Sequence, residues 1–175
     1  MPNISLEDAA GWFGDLPSRI AHAAQEGLVQ AGLRGVQIIV TRIIPSRSPK
    51  PMDRGVYRAG WRIDRRGFGD SARVFIENLE PHAAFIEFGV RPGNVKIGAA
   101  MIRALTEWCL RKGIANSEAE ATGIAWAIAR SMQKRGIFKG TSGGLGVLKE
   151  FMKDYANTVI AEEVSRAVNR ELGRG

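Results

Sequence analysis

VYRAGWRIDRRGFGDSARVFIENL, residues 56–79, is the stretch that decides the fold class. Two runs rich in β-branched and aromatic residues, 56–64 and 71–79, flank RRGFGD, whose glycines suit a reversal of direction, so the stretch reads as an antiparallel hairpin. Alternation along the first run puts Tyr57, Ala59, Trp61 and Ile63 on one face and Arg58, Arg62 and Asp64 on the other. That is the pattern of a half-buried strand with a solvated, basic outer face.

Upstream of the hairpin the chain reads as helix. Asp15 is a candidate cap, Pro17 suits a first turn, and apolar positions recur at Ile20, Ala24, Leu28, Ala31, Ile38 and Ile39 until Pro45 stops the pattern. Gly27, Gly32 and Gly35 weaken that helix, and the β-branched run VQIIVT leaves a strand open for its end. Helix from about residue 17 to 44 is the reading adopted. The three prolines and small polar residues of PSRSPKPMDRG then give a flexible basic loop over residues 45–56.

Downstream, Pro81 opens and Gly89 closes a short helix containing AAFIEF. Met101, Ile102, Leu105, Trp108 and Cys109 share helical spacing over residues 99–112, with Gly113 as the stop. Ser117 with Glu120 forms a capping box for a helix that runs to Arg135 and presents Ile124, Ile128 and Met132 on one side. A flexible glycine-rich loop, 137–146, precedes a last helix from about Val147 that carries Leu148, Phe151, Met152, Tyr155, Val159 and Val168. The sum is one α+β domain over residues 1–175: a long N-terminal helix packed on a small antiparallel β-sheet, followed by several C-terminal helices.

Composition narrows the function classes. With 45% hydrophobic and 25% charged residues, the 175-residue chain has the make-up of a folded protein rather than of a disordered one. Its first residues carry acidic side chains where a signal peptide has basic ones, so secretion is not expected. The longest aliphatic run, residues 36–44, is about half of a bilayer span and contains Arg42, so no membrane helix is expected either. A lone cysteine, Cys109, forms no internal disulfide and fits a reducing compartment as a small buried hydrophobe. The net charge of +7 is concentrated: residues 42–66 hold Arg42, Arg47, Lys50, Arg54, Arg58, Arg62, Arg65 and Arg66 against only Asp53 and Asp64. A region of that kind meets phosphates or acidic protein surfaces.

Catalytic motifs are missing from the sequence. GTSGGLG, residues 140–146, lacks the Lys-Ser/Thr of a phosphate-binding loop and follows no strand. His22 and His82 stand apart without a metal-binding pattern, and no GxSxG is present. Glu87 sits among apolar residues and could act as an acid with Glu77 or Glu80, but a structural carboxylate paired with an arginine such as Arg73 or Arg91 is the simpler reading. Tyr57, Trp61 and Phe68 interleaved with cations leave a nucleic-acid surface open as an alternative. Neither an enzyme nor a cofactor is expected.

The order of pieces resembles a family of bacteriophage neck proteins, the head–tail joining or tail-completion minor structural proteins of tailed phages. The residues carrying the resemblance are Pro51, Asp53 and Gly55 in PMDRG, then RAGW ending at Trp61, then Asn78 followed by PHAAFIEFG with Glu87 and Gly89. The usual wording in that family is closer to Pro-Val-Asp-Thr-Gly-x-Leu-Arg and Asn-x-x-x-Tyr-Ala-x-x-Val-Glu-x-Gly-Thr. Arg54, His82 and Val90 depart from it, at positions that affect local turn and interface geometry. The similarity covers roughly residues 15–113. It implies a structural virion protein, assembled in the bacterial cytoplasm, that forms a hexameric or dodecameric ring between the head connector and the tail tube or terminator. In that setting Glu87 would anchor the short helix, and Arg47, Lys50, Arg54, Arg58 and Arg62 would face acidic neighbours or passing DNA. A tail-terminator ring is the nearest alternative.

Overall fold

The computed structural model describes residues 6–47, 55–67, 71–137 and 144–173. Contacts group the chain into two compact units, Met1–Glu80 with Val147–Gly175 and Pro81–Gly146, where the sequence reading treats residues 1–175 as one domain.

The first unit is built on a helix far longer than its capping signals indicate. Helix α1 spans Leu6–Ile38 and passes without interruption into a π-helical turn, Ile39–Ile43, and a final turn α2, Ile44–Ser46. Pro17 therefore lies inside α1 rather than at its start. A proline removes one backbone N–H from the ladder, but its fixed φ is helical, so the run upstream of it can continue the helix. The helical alternative for VQIIVT holds, with a local change of pitch. Ile39 and Ile43 in the π turn and Ile44 directly after it are 0 to 1% exposed. Pro45 belongs to α2, so the loop begins later than expected, and residues 48–54 fall outside the described chain.

The glycines that weaken α1 as an isolated helix are where the rest of the unit docks. A Cβ on Gly27 would stand 2.6 Å from Val164 Cα, one on Gly32 would stand 2.7 Å from Val74 Cγ1, and one on Gly35 would stand 2.7 Å from both Ile76 Cδ1 and Phe151 Cζ. Each missing side chain admits a different neighbour. Gly27 receives the C-terminal helix, Gly32 the hairpin, and Gly35 the hairpin together with Phe151. By length and composition the stretch Gly14–Ser46 is apolar enough to cross a membrane, its best window having a mean hydropathy of 1.2, although part of that apolar surface is buried against these neighbours.

The hairpin pairs β1 (Trp61–Arg66) with β2 (Arg73–Asn78) antiparallel, in a register that sets Trp61 opposite Asn78 and Arg66 opposite Arg73. The first strand is shorter than the sequence reading makes it. Residues Val56–Ala59 form a helical turn, α3, so Tyr57 and Ala59 take no part in strand alternation. Tyr57 is nonetheless buried, brought inward by the turn. The last helix is also divided, into α7 (Val147–Asp154) and α8 (Ala156–Leu172), with Tyr155 at φ −128° between them. Amide bonds continue across the break, Tyr155 N–H to Phe151 O and Val159 N–H to Tyr155 O, both at 3.0 Å. The change of direction lets Phe151 reach Gly35 on one side and Val164 reach Gly27 on the other.

The second unit holds a short helix α4 (Ala83–Phe88) and an antiparallel-type helical pair, α5 (Ala99–Arg111) and α6 (Glu118–Arg135). Ser117 caps α6 as expected, its Oγ accepting from Glu120 N–H at 3.2 Å, while the Glu120 carboxylate reaches back to Asn116 N–H at 2.9 Å. The inward face of α6 is Ala121, Ala125 and Ala129, all 0% exposed, rather than Ile124, Ile128 and Met132. Alanines bring α5 close enough to bury Ile102 and Cys109, and Ile124 and Ile128 close the sides of that seam. Cys109 is fully buried, in line with its reading as a core residue.

Candidate functional site

The residues that carry the sequence resemblance converge, in the first unit, on the corner between α3 and the hairpin. Gly55 adopts φ +74°, a left-handed conformation that few other residues take without strain, and its carbonyl accepts from Ala59 N–H at 2.9 Å. Asn78, at the end of β2, donates from Nδ2 to the Tyr57 carbonyl at 2.7 Å and accepts from Glu80 N–H at 3.0 Å. The Tyr57 and Trp61 rings meet edge to face, with centroids 5.8 Å apart and planes at 80°. Gly60 is required here although the sequence reading passed over it: a Cβ would lie 2.5 Å from Asn78 Oδ1. Asn78 thus fastens a helical turn to a strand end, using both halves of its amide. Pro51 and Asp53 lie outside the described residues.

In the second unit, Glu87 and Gly89 stand at the end of α4. Glu87 is a buried carboxylate-bearing residue, as the sequence suggests, and Gly89 closes the helix at φ +68° with its N–H bonded to Phe85 O at 2.8 Å. The end of the glycine-rich segment folds back on this point: Leu145 N–H donates to Ile86 O at 2.8 Å and Gly146 N–H to Glu87 O at 3.2 Å. A Cβ on Gly144 would collide with the Glu87 carbonyl. The two ends of that segment are therefore held, Ile137 by a bridge to Val90 and residues 144–146 by α4.

The basic stretch is less naked than its sequence implies. Arg47 pairs with Glu150, Arg62 with its register partner Glu77 at 2.8 Å, and Arg66 with Asp64 at 2.6 Å. The Arg66 guanidinium also lies 4.8 Å from the centre of the Phe75 ring. Two of these three carboxylates, Glu77 and Glu150, come from outside residues 42–66, so folding neutralises part of the local charge. Arg42, Arg58 and Arg65 have no carboxylate partner among the described residues, and Lys50 and Arg54 lie outside them. Arg58 sits exposed in the last turn of α3, apart from Arg62 on the outer face of β1.

A second charged group, which the sequence reading missed, joins α1 to α8. Arg34 Nη1 contacts Glu162 Oε2 at 2.6 Å and Glu163 Oε1 at 2.9 Å, while Arg166 contacts the other oxygen of Glu163. The Arg34 hydrogen bond, reinforced by Arg166 against the cost of desolvation, holds the Glu163 carboxyl below the usual carboxylate range. Glu162 and then Glu163 raise Arg34 in turn. Beside this network Glu26, Gln30, Arg65, Glu163, Arg166 and Arg170 line an open cavity of about 510 Å³. The i, i+3 spacing of Glu163 and Arg166 was visible in the sequence, but the decisive partner, Arg34, is 129 residues away.

Among the described residues, no group of three or more histidine, cysteine or carboxylate side chains is placed to hold a metal ion. No family model, curated protein or solved structure matches the chain.

Proposed function

We propose that this chain is a structural virion protein of a tailed bacteriophage, which completes the tail end and joins it to the head as part of a neck ring. The observation that carries the reading is what the described motif residues do. Gly55, Asn78 and Gly89 shape backbone at two corners, Trp61 packs edge to face on Tyr57, and Glu87 is buried in α4. Residues of that kind set the form of a surface, which is what an assembly protein needs. Large apolar side chains remain on the outside of both units, among them Phe75 and Met152 in the first and Phe85, Phe88 and Trp126 in the second, and exposed apolar groups in such numbers favour partners over solvent. On this reading the partners are further copies of the chain, the head connector and the tail tube or its terminator, with the basic segment against acidic surfaces or passing DNA.

Electron microscopy of lysates from the phage or prophage with this gene deleted tests the proposal. Filled heads beside separate tails of normal length are expected. Overlong tails would reassign the chain to tail termination, and normal joined particles would remove it from the neck.

A further inference from the structure

Alternation along β1 sets an arginine on the side of the hairpin that meets α1. Ile63 and Val74 touch α1 there, at 3.0 Å and 2.7 Å from the Cβ position of Gly32. Arg65 is the register partner of Val74 and lies two residues beyond Ile63, so its side chain leaves the strand on the same side. An apolar residue would continue the row begun by Trp61 and Ile63. Arg65 instead lines the open cavity of about 510 Å³ that the hairpin, α1 and α8 enclose within the first unit.

From α8 the same cavity receives Arg166 and Arg170. Three guanidiniums thus share it with two carboxylates, and both carboxylates are engaged. Glu163 is held by Arg34 and by Arg166, and Glu26 has its contact with His22 Nε2 at 3.4 Å. Arg65 and Arg170 have no carboxylate partner among the described residues. Arg166 uses part of its planar fork on Glu163 and keeps further N–H donors. Like charges gathered around one cavity repel, and an anion among them turns that repulsion into attraction.

We propose that this cavity is an oxyanion site that takes a phosphoryl group, with Arg65 and Arg170 as its ligands and Arg166 as a further donor. The guanidinium fork matches a pair of phosphate oxygens, so each free arginine can bind in bidentate fashion. Two such forks on different elements suit an anion that carries more than one charged oxygen. A lone carboxylate is already within reach as Glu26, yet neither free arginine pairs with it. The volume lies within the range of about 300–1,000 Å³ that small-molecule sites occupy, which leaves room for the body of a phosphorylated compound beside the phosphate. The phosphoryl group can be free or belong to a polynucleotide backbone, and the site requires no place in a virion.

Titration of the full chain with inorganic phosphate, followed by phosphorus NMR at constant ionic strength, tests the site. Saturable binding is expected, weakened about tenfold in Arg65→Ser and in Arg170→Ser, the loss that goes with one charged hydrogen-bond donor. Neither substitution breaks an ion pair among the described residues, so circular dichroism and the unfolding midpoint should stay as in the wild type. Arg103→Ser removes the same charge from α5 in the other unit and should leave phosphate binding unchanged. No saturable binding by the wild type, full binding by the Arg65 and Arg170 variants, or an equal loss in all three variants would each overturn the proposal. A fluorescent single-stranded oligodeoxynucleotide separates the two sources. Oligonucleotide binding that phosphate competes and that both cavity variants weaken assigns the site to a polynucleotide backbone; phosphate binding with no such effect on the oligonucleotide assigns it to a free phosphorylated ligand.

Discussion

The Asn78 amide donates to the Tyr57 carbonyl at 2.7 Å across 21 residues, and the same side chain accepts from Glu80 N–H at 3.0 Å. One residue therefore ties the turn α3 to the end of β2. Asn78→Ala leaves the half-buried Tyr57 carbonyl and Glu80 amide without these bonds, and a loss of about 1–3 kcal/mol in urea unfolding is expected. Asn78→Asp keeps the acceptor and loses the donor, so it should recover only part of the difference. Equal stability of Asn78→Ala and wild type would show that the turn is held by other contacts.

Glycines in this chain separate into those that admit a neighbour and those that do not. Gly27→Ala places a Cβ 2.6 Å from the Val164 backbone, so overpacking of about 1–3 kcal/mol should outweigh the gain in helix propensity. Gly123 lies in α6 with nothing within 4 Å of its Cβ position, and Gly123→Ala should stabilise by about 0.5–1 kcal/mol. Thermal unfolding of the two variants checks the contrast. The opposite order would place α8 farther from α1 than described.

Acid sensitivity should centre on α1 and α8. The folded Glu163 carboxyl titrates below its ordinary value of 4.5, so the folded chain binds fewer protons there than the unfolded one. Its stabilising contribution is fully present above that ordinary value and is lost as the pH falls through the lower, folded value. Arg34→Ala removes the first cause of the shift and should flatten this part of the profile, measured as urea midpoints on stepping from neutral to acid pH. An unchanged acid limb in Arg34→Ala would assign the acid sensitivity to other carboxylates.

The ion pairs divide the basic segment into structural and available cations. Replacing Lys50, Arg54 and Arg58 together with Ser should abolish incorporation into particles, and Arg58→Ser alone, which breaks no ion pair among the described residues, should leave the unfolding midpoint unchanged. Adding Arg47→Ser should also lower the midpoint, because Glu150 loses its partner. Normal incorporation of the triple variant would remove the segment from the interface. A gel-shift titration of the wild-type chain checks the nucleic-acid alternative, for which sequence-independent binding at micromolar concentration or tighter and a steep salt slope are required.

Local chemistry was legible in the sequence where a single residue or a short spacing governs it. The hairpin, the Ser117–Glu120 cap, the Gly89 stop and the burial of Glu87 and Cys109 all follow from nearest neighbours or from composition within a few residues. Turn and cap geometry depends on φ, on a missing Cβ or on one side-chain oxygen, and those properties belong to the residue itself. Tertiary structure decided the rest. Tyr57 left the strand pattern because the Asn78 amide and a left-handed Gly55 stabilise a turn there, and Ala121, Ala125 and Ala129 replaced the larger apolar residues on the inner face of α6 because α5 approaches closely. The three glycines that read as weaknesses of α1 became its contact points, and arginines that read as a bare basic patch found carboxylates as distant as Glu150. Propensity and charge are summed along the chain, whereas close packing and ion pairing depend on which distant segments meet, and for this protein those meetings set the docking of the hairpin and of α8 on α1 and the charge left at the surface.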